Sequence, residues 1–269
     1  MSCWTDQWKD FVRKTSYKQT LAAEKISNDQ FWSSYGIYDR ALLLAGYPGE
    51  ILGKISSLIS PNSTLLDIGA GTGAFAIPLS KKTSRTIAVD PSDHQLQILM
   101  EKARQEGLDN ILAIKKEWKD VLPSDISAVC SSGEDAAIVD YSLAAYSLFD
   151  ENIECFLSRM IDIARKGVFI VFRGGGVDSL NEFAYGRRPY ADYICLDHIL
   201  SDLGYRFDRM LFTRNYSLPV DLVFKQYRFC KKSPEQLLGH LDEEDRLIER
   251  SDGKWASFQA TDALLYLNR

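Results

Sequence analysis

The sequence of 269 residues predicts an α/β fold in which a mostly parallel sheet carries helices on both faces and ends in an antiparallel strand. Short apolar runs alternate with segments of helical spacing along most of the chain, which is typical of alternating strands and helices. Five of the apolar runs are separated by helical segments, and parallel neighbours require such crossover connections. A glycine-rich loop also follows the first run, where a strand would pass into a helix.

Residues 1–60 are predicted to form a helical cap that ends with a helix over residues 48–59. Its aromatic side chains include Trp4, Trp8, Phe11, Phe31, Trp32, Tyr35 and Tyr38. We interpret this segment as a mobile lid over the ligand end of the sheet. A helix packed permanently on the sheet by its aromatic residues is the alternative.

The core is predicted to span residues 61–216. Its strands are expected over residues 64–68, 86–89, 111–115, 136–140, 168–172 and 207–213. Its helices are expected over residues 74–81, 92–107, 151–165 and 190–203. Ser92 and Asp93 are good N-caps for the second of these helices, and Gly107 is placed to end it.

The last part of the chain changes character. Residues 217–254 are predicted to form an insertion that is helical over residues 219–250. Residues 255–269 are predicted to complete the core with a final strand over residues 263–267. If both late strands join the sheet, the insertion lies over the edge of the sheet or over its ligand-binding end.

Composition restricts the class of partner. The net charge of −5 lacks the basic excess that binding to a phosphate backbone demands, so it disfavours a nucleic-acid substrate. No run approaches the roughly 20 apolar residues of a membrane helix, and the N-terminus lacks the order of a signal peptide. The five scattered cysteines suit reduced thiols. We therefore expect a cytoplasmic protein without membrane association.

No metal site is predicted. The three histidines, His94, His198 and His240, are far apart and show none of the spacings that are typical of metal ligands.

The glycine loop from Gly69 to Gly73 is the most informative segment. Glycines let the backbone approach a ligand closely, and the following helix points its free N–H groups at the same place. Asp90 ends the next strand, where a carboxylate can accept hydrogen bonds from both ribose hydroxyls. The spacing from Gly69 to Ala74 also satisfies the relaxed dinucleotide fingerprint, so the glycines leave both ligands open. A tight turn without a ligand is the third interpretation.

The segment LLDIGAGTGAFA, followed by TIAVD, resembles motif I and the second-strand acidic residue of class I S-adenosylmethionine-dependent methyltransferases, which have a Rossmann-like fold. The resemblance implies that Asp67 contacts the methionine amino group. It also implies that Asp90 holds the ribose, with Pro91 beside it. The loop residues Gly69, Ala70, Gly71 and Gly73 would pack against the methionyl part. A dinucleotide would gain nothing from Asp67, which would repel its pyrophosphate.

Two further residues are assigned to the adenine. Glu117 and Trp118 follow the third strand, where the family commonly presents an acidic residue and an apolar or aromatic neighbour. Trp118 offers a flat face for stacking, and Glu117 or nearby backbone offers an acceptor for the exocyclic amine. Ordinary core packing of Trp118 is the alternative.

The loop after the fourth strand is expected to face the reactive methyl group. It is interpreted as beginning at Asp140 and Tyr141, and these two residues together with Tyr146 are the candidates for orienting an acceptor. Asp140 is also counted among the cofactor-binding residues. A structural role at the strand end is the alternative for each. Direct in-line transfer requires a base only when the acceptor is protonated, so a catalytic residue need not exist.

The predicted function is therefore methyl transfer from S-adenosylmethionine, with S-adenosylhomocysteine as product, to a small-molecule acceptor. Arg173, at the start of a glycine run after the fifth strand, could pair with an anionic acceptor, although a surface turn is the simpler interpretation. A non-catalytic, regulatory S-adenosylmethionine-binding protein and an NAD(P)-dependent oxidoreductase are the alternative functions.

Overall fold

The computed structural model describes residues 3–34, 36–130 and 138–269. Tyr35 of the predicted cap and residues 136–137 of the predicted fourth strand lie outside the described residues. In the part of the chain that is described, no helix has the length and apolar character needed to cross a membrane.

Helices and strands alternate through the centre of the chain. The helices are α1 Cys3–Thr15, α2 Tyr17–Glu24, α3 Asn28–Ser33, α4 Tyr38–Leu44, α5 Glu50–Leu58, α6 Ala76–Ser80, α7 Asp93–Gln105, α8 Pro123–Cys130, α9 Ile153–Asp162, α10 Ser179–Tyr185, α11 Tyr193–Asp202, α12 Val220–Gln226 and α13 Pro234–Glu243. The strands are β1 Thr64–Ile68, β2 Arg85–Val89, β3 Ile111–Ile114, β4 Val139–Ala145, β5 Ala164–Arg173, β6 Asp208–Pro219, β7 Leu247–Arg250 and β8 Gly253–Asn268.

The strands form one sheet in the order β3-β2-β1-β4-β5-β8-β6, and β7 pairs with β8. Strands β1 to β5 pair in parallel, whereas β8 runs antiparallel between β5 and β6. This architecture confirms the predicted α/β fold and its antiparallel end. It also brings the carboxyl ends of β1, β2 and β4 to one edge of the sheet, where ligands bind in folds of this kind.

The fourth strand begins later than predicted. It runs over Val139–Ala145, so the prediction of residues 136–140 places its carboxyl end about five residues too early. Two polar residues inside the strand explain the error, because they interrupt the apolar run while being buried and paired in the fold. Asp140 accepts a hydrogen bond from the backbone N–H of Thr64, and the Ser142 hydroxyl donates to the carbonyl of Met160.

The late strands are longer than predicted. β6 and β8 pair over twelve residues, and their far halves extend beyond β5 as an arm, to which β7 adds a third strand at its end. β7 lies within the stretch predicted to be helical over residues 219–250, so that part of the prediction is wrong. Helices α12 and α13 occupy the rest of the stretch, and their apolar residues pack with the arm in a separate cluster.

Helix α1 is part of the core. Trp8, Phe11 and Val12 are buried with the apolar residues of β5, α9 and α11. The indole N–H of Trp8 donates to the carbonyl of Asp150 over 2.9 Å. The interpretation of the whole N-terminal segment as a mobile lid is therefore wrong for α1. Helices α2 and α3 contain no buried residue, and they cover the ligand end of the sheet.

We predict that Trp8→Ala lowers the free energy of unfolding by about 3–5 kcal/mol, because a large buried side chain and a hydrogen bond are lost. Denaturant unfolding measures the loss. Trp32→Ala is the matched control, since Trp32 belongs to the same segment but is only partly buried. Equal losses for the two variants would mean that α1 is no more part of the core than α3.

Candidate functional site

The glycine loop connects β1 to α6, and each of its glycines has a positive φ: +74° at Gly69, +54° at Gly71 and +89° at Gly73. A Cβ at Gly69 would lie 2.2 Å from the Cβ of Ser147, and one at Gly73 would lie 2.7 Å from Cγ1 of Ile77. These two glycines are required by packing. Gly71 differs, because the nearest atom to its added Cβ is Oε1 of Gln95 at 3.6 Å. Its open side belongs to the wall of a cavity.

Asp90 holds the loop in place. One carboxylate oxygen accepts a hydrogen bond from the Gly71 N–H over 2.9 Å, and the other accepts from the Ser92 N–H over 2.8 Å. The side chain is buried at the end of β2, and burial raises its pKa to about 6. Asp90 therefore joins the glycine loop to the start of α7, which Ser92 caps.

Asp67 is the second buried carboxylate of the site. Burial raises its pKa to about 7, and the nearby charge of Asp90 adds to the rise, whereas a backbone hydrogen bond from Ala76 opposes it. Within the described residues, no lysine or arginine forms an ion pair with Asp67 or Asp90. Two buried acids without a cation favour a positively charged ligand, because such a ligand stabilises the ionised forms.

A cavity of about 480 Å³ opens beside these groups. One wall is the glycine loop with Asp67, Asp90 and Pro91. The opposite wall comes from the N-terminal helices and from the arm of β6 and β8. Its aromatic and polar residues include Tyr17, Trp32, Tyr38, Tyr47, Arg214, Tyr216 and Asp262. The cavity is therefore bounded by segments that lie far apart in the sequence.

The N-terminal helices are attached to the glycine loop and to α7 by two acidic side chains. Asp39 of α4 accepts a hydrogen bond from the Thr72 hydroxyl and forms an ion pair of 2.8 Å with Lys102. Asp29 of α3 accepts from the Ser92 hydroxyl over 2.7 Å. The cover of the cavity and the loop beneath it are thus directly connected.

Glu117 and Trp118 both line the cavity. Burial tends to raise the pKa of Glu117, but hydrogen bonds from Lys18 at 3.0 Å and Lys119 at 3.1 Å outweigh it, so the net shift is downward. The indole N–H of Trp118 donates to the carbonyl of Phe156 over 3.3 Å. Trp118 is also part of the main apolar cluster. It is a core residue with one face toward the cavity.

Asp140 and Tyr141 lie away from the site. Asp140 stands near the start of β4, where it pairs with Arg165 at 2.8 Å and Lys166 at 3.1 Å. The Tyr141 hydroxyl contacts the backbone N–H of Ser60 at 3.1 Å, at the same end of the sheet. The prediction that these two residues meet an acceptor or the cofactor is wrong, because it rests on a strand that ends too early.

Tyr146 does follow the carboxyl end of β4, and its ring lines the cavity. Its hydroxyl donates to the carboxylate of Asp262, which also accepts from Nε of Arg214 over 2.7 Å. Burial, followed by the charge of Asp262, raises the pKa of Tyr146, so its hydroxyl stays protonated at neutral pH. Sequence reasoning missed Asp262 and Arg214, because only the pairing of β6 with β8 brings them to Tyr146.

Gln95 was also missed. It is buried on α7 and lines the cavity, and within the described residues its Oε1 has no hydrogen-bond partner. Buried polar atoms without partners are rare, and this one is a candidate ligand contact. The sequence signal is a polar residue on the apolar face of α7, which continues through Leu99 and Ala103. The described part of the chain contains no cluster of three acidic, histidine or cysteine side chains that could hold a metal ion.

Residues 65–167 match a family model described as a methyltransferase domain. The ribosomal protein L11 methyltransferase of Alkaliphilus oremlandii is 24% identical over 180 residues, which cover 62% of this chain and 52% of that protein. The ribosomal RNA small subunit methyltransferase A of Desulforapulum autotrophicum is 30% identical over 135 residues, or 49% of this chain and 42% of that protein. The chain spans about half or less of the length of the curated relatives it matches.

The YcgJ protein of Bacillus subtilis is similar in structure. Its TM-score is 0.57 at 15% identity, and the superposition covers 81% of this chain and 97% of that chain. At this identity the similarity concerns the fold alone.

We predict that Gly69→Ala destabilises the protein by about 2–4 kcal/mol, because the new methyl group overlaps Ser147 and the backbone keeps a positive φ. Gly71→Ala is the control. It carries only the backbone strain of about 1 kcal/mol, since its methyl group meets nothing closer than 3.6 Å. Denaturant midpoints measured for both variants compare the two costs. A loss for Gly71→Ala as large as that for Gly69→Ala would contradict the assigned packing.

Proposed function

We propose that the chain is a class I, Rossmann-like methyltransferase that transfers a methyl group from S-adenosylmethionine to a small-molecule acceptor, because residues 65–167 match a methyltransferase domain model and the fold is similar to that of the YcgJ protein. The observation that carries the proposal is the pair of buried carboxylates beside Gly71, Asp67 and Asp90, which have no cationic partner among the described residues.

The residues present fit this cofactor. S-adenosylmethionine carries an ammonium group, a sulfonium group and two ribose hydroxyls, and the cavity offers two buried acids together with the unpartnered Oε1 of Gln95. The open side of Gly71 leaves room for the ligand. A dinucleotide would bring a pyrophosphate toward the same acids, and repulsion between like charges at low dielectric opposes that arrangement.

Different site residues would bind different parts of the cofactor. Asp67 would accept hydrogen bonds from the ammonium group, and Asp90 from the ribose hydroxyls, with Pro91 beside it. Glu117 and Trp118 would line the adenine end. The remaining contacts to the methionyl part would come from Gly69, Ala70, Gly71 and Gly73. When bound, S-adenosylmethionine supplies a methyl group that is activated by the positive charge on sulfur.

Tyr146 would orient the acceptor. Its hydroxyl gives its proton to the hydrogen bond with Asp262, so its oxygen can accept a hydrogen bond from the acceptor. The raised pKa keeps the phenol neutral, which makes Tyr146 a positioning group for the acceptor and not a base. Arg214 fixes the carboxylate of Asp262 and thereby the direction of the phenol.

The cover of the cavity supports a small acceptor. Aromatic side chains from α2, α3 and α4 close it on one side, and the arm of β6 and β8 closes it on another. The net charge of −5 gives no general attraction to a phosphate backbone. The names of two relatives refer to a ribosomal protein and to ribosomal RNA. These macromolecules are therefore the comparison substrates in the test of the acceptor.

We predict that S-adenosylhomocysteine binds the full chain and that its affinity falls about tenfold between pH 8 and pH 6. The ionised carboxylates bind the ligand, and a carboxyl group with a pKa of about 7 is about one-tenth ionised at pH 6. Isothermal titration calorimetry measures the dependence. Asp67→Asn should bind more weakly at pH 8 and depend less on pH. Asp140→Asn is the control, since Asp140 lies away from the cavity.

Binding of NAD in place of S-adenosylhomocysteine would overturn the proposal in favour of an oxidoreductase. Tight binding with no methyl transfer to small molecules, ribosomal protein or ribosomal RNA would favour a regulatory binding protein.

We predict that Tyr146→Phe lowers kcat about tenfold, the effect of losing one hydrogen bond of roughly 1.4 kcal/mol to the acceptor, and leaves KM for S-adenosylmethionine unchanged. Tyr141→Phe is the matched control. Tyr141 is a buried tyrosine near the start of β4, at the opposite end of the sheet from Tyr146. Release of S-adenosylhomocysteine measures turnover with any accepted hydroxyl, amine or thiol compound. An equal loss of kcat in both variants would remove Tyr146 from the acceptor site.

A further inference from the structure

Arg173, at the carboxyl end of β5, is surrounded by aromatic rings. Its guanidinium carbon lies 4.9 Å from the ring centroid of Phe11, 5.0 Å from that of Phe172 and 5.7 Å from that of Tyr190. The Tyr190 hydroxyl donates to the carbonyl of Gly175, which fixes the third ring beside the loop. The guanidinium plane is thus held in one place by packing, which lowers the entropy lost when it binds a ligand.

No carboxylate among the described residues forms an ion pair with Arg173. Asp262 is its register partner on β8, but the carboxylate of Asp262 is bound by Tyr146 and Arg214. Asp192 acts on Arg173 from a distance, and its carboxylate caps the start of α11. Burial lowers the pKa of Arg173, yet an arginine stays protonated in a protein.

Two other partly buried arginines of this protein have acidic partners. Arg214 pairs with Asp262 at 2.7 Å, and Arg246 pairs with Asp178 at 2.9 Å. Arg173 carries the same charge without one. Since a buried charge is costly unless it is paired, the position calls for an anion from outside the chain.

Arg173 lines a second cavity of about 620 Å³. Tyr146 and Gln226 line both cavities, so the second adjoins the first at the residue that we propose to orient the acceptor. The second cavity also contains Arg188, which forms no ion pair within the described part of the chain. Asp178, an acid that lines the same cavity, is already paired with Arg246.

The remaining charged residues of this cavity are exposed or have partners. Arg228 donates to the carbonyls of Phe31 and Lys225, and its guanidinium lies over the ring of Phe229. Lys14 is exposed and pairs with Asp10 at 2.7 Å, and the two further acids, Glu24 and Glu182, are exposed to solvent. Arg173 is therefore a partly buried cation of this cavity that no carboxylate of the described residues neutralises.

We propose that Arg173 binds an anionic group of the methyl acceptor, a carboxylate, phosphate or sulfonate, while the acceptor atom lies in the first cavity beside Tyr146. The proposal rests on the proposed methyl transfer and names the chemical class of its substrate. A planar guanidinium binds such groups through two parallel hydrogen bonds, which fixes orientation as well as position. The aromatic walls on both sides of Tyr146 suit an apolar or aromatic body between the anion and the acceptor atom.

The test uses a pair of fluorescent probes with the same aromatic body. Anilinonaphthalene sulfonate carries an anion, and phenylnaphthylamine is its uncharged counterpart. Both are titrated into the full chain saturated with S-adenosylhomocysteine. We expect Arg173→Gln to weaken binding of the sulfonate probe at least tenfold and to leave the neutral probe unchanged, because only the sulfonate pairs with the guanidinium. Arg173→Lys, which keeps a cation, should lie between.

Arg209→Gln is the control variant, because it removes the same charge from an exposed arginine that pairs with Asp197. It should bind both probes like the wild type. A second measurement needs no variant: phenylglyoxal labels accessible arginines, and the sulfonate probe should protect Arg173 from labelling while the neutral probe does not. This measurement applies even where Arg173→Gln fails to fold.

Equal affinity of Arg173→Gln and wild type for the sulfonate probe, or absence of saturable binding of that probe to the wild type, would overturn the proposal. Each result is separable from failure of the proposed function, which shows as absence of S-adenosylhomocysteine binding in the wild type. Loss of S-adenosylhomocysteine binding in Arg173→Gln would also overturn it, since Arg173 would then act on the cofactor.

Discussion

The hydrogen bonds that the Asp90 carboxylate accepts from the N–H groups of Gly71 and Ser92 are the contacts on which the site depends. They join the glycine loop, the end of β2 and the start of α7 through one buried carboxylate. Burying this acid beside Asp67 is unfavourable, as the raised pKa of both groups indicates. The fold keeps this unfavourable burial at the edge of the sheet where the parallel strands β1 to β5 end. Buried acids with raised pKa values are typical of functional sites.

The same loop carries the cover of the cavity. Asp39 and Asp29 of the N-terminal helices bind Thr72 and Ser92, so a shift of the loop is felt directly in α3 and α4. Helix α1, by contrast, is anchored by Trp8 in the core. In the N-terminal segment, α1 is therefore fixed in the core, whereas α2 and α3 form a cover with little buried surface. Segments of low burial open more readily than the core, which suits entry and exit of a ligand.

The sequence predicts the part of the site that is local in the chain. Asp67, Gly69 to Gly73 and Asp90 lie within two strand-loop-helix units, so their spacing carries the information. The interpretation of Asp140 fails because a buried, paired acid looks like the end of a strand. Asp262 and Arg214 could not be predicted, since their contact depends on the register of two late strands whose lengths the apolar pattern underestimates. Local patterns fix elements, whereas long-range pairing decides which polar groups meet.

The two cavities separate opposite charges across Tyr146. Unpaired acids face the cofactor side, and an unpaired arginine faces the other. In a medium of low dielectric, this arrangement selects ligands by rejection as well as by attraction, because a cationic acceptor would meet Arg173 without compensation. A macromolecular acceptor would have to insert a side chain or a base past α2 and α3 to reach Tyr146. An acceptor with an anionic end is favoured instead, because pairing with the anion removes the energetic cost of the unpaired, partly buried guanidinium. In the proposed reaction, the energy gained there would hold the acceptor atom in line with the methyl group, which is the main demand of a direct displacement.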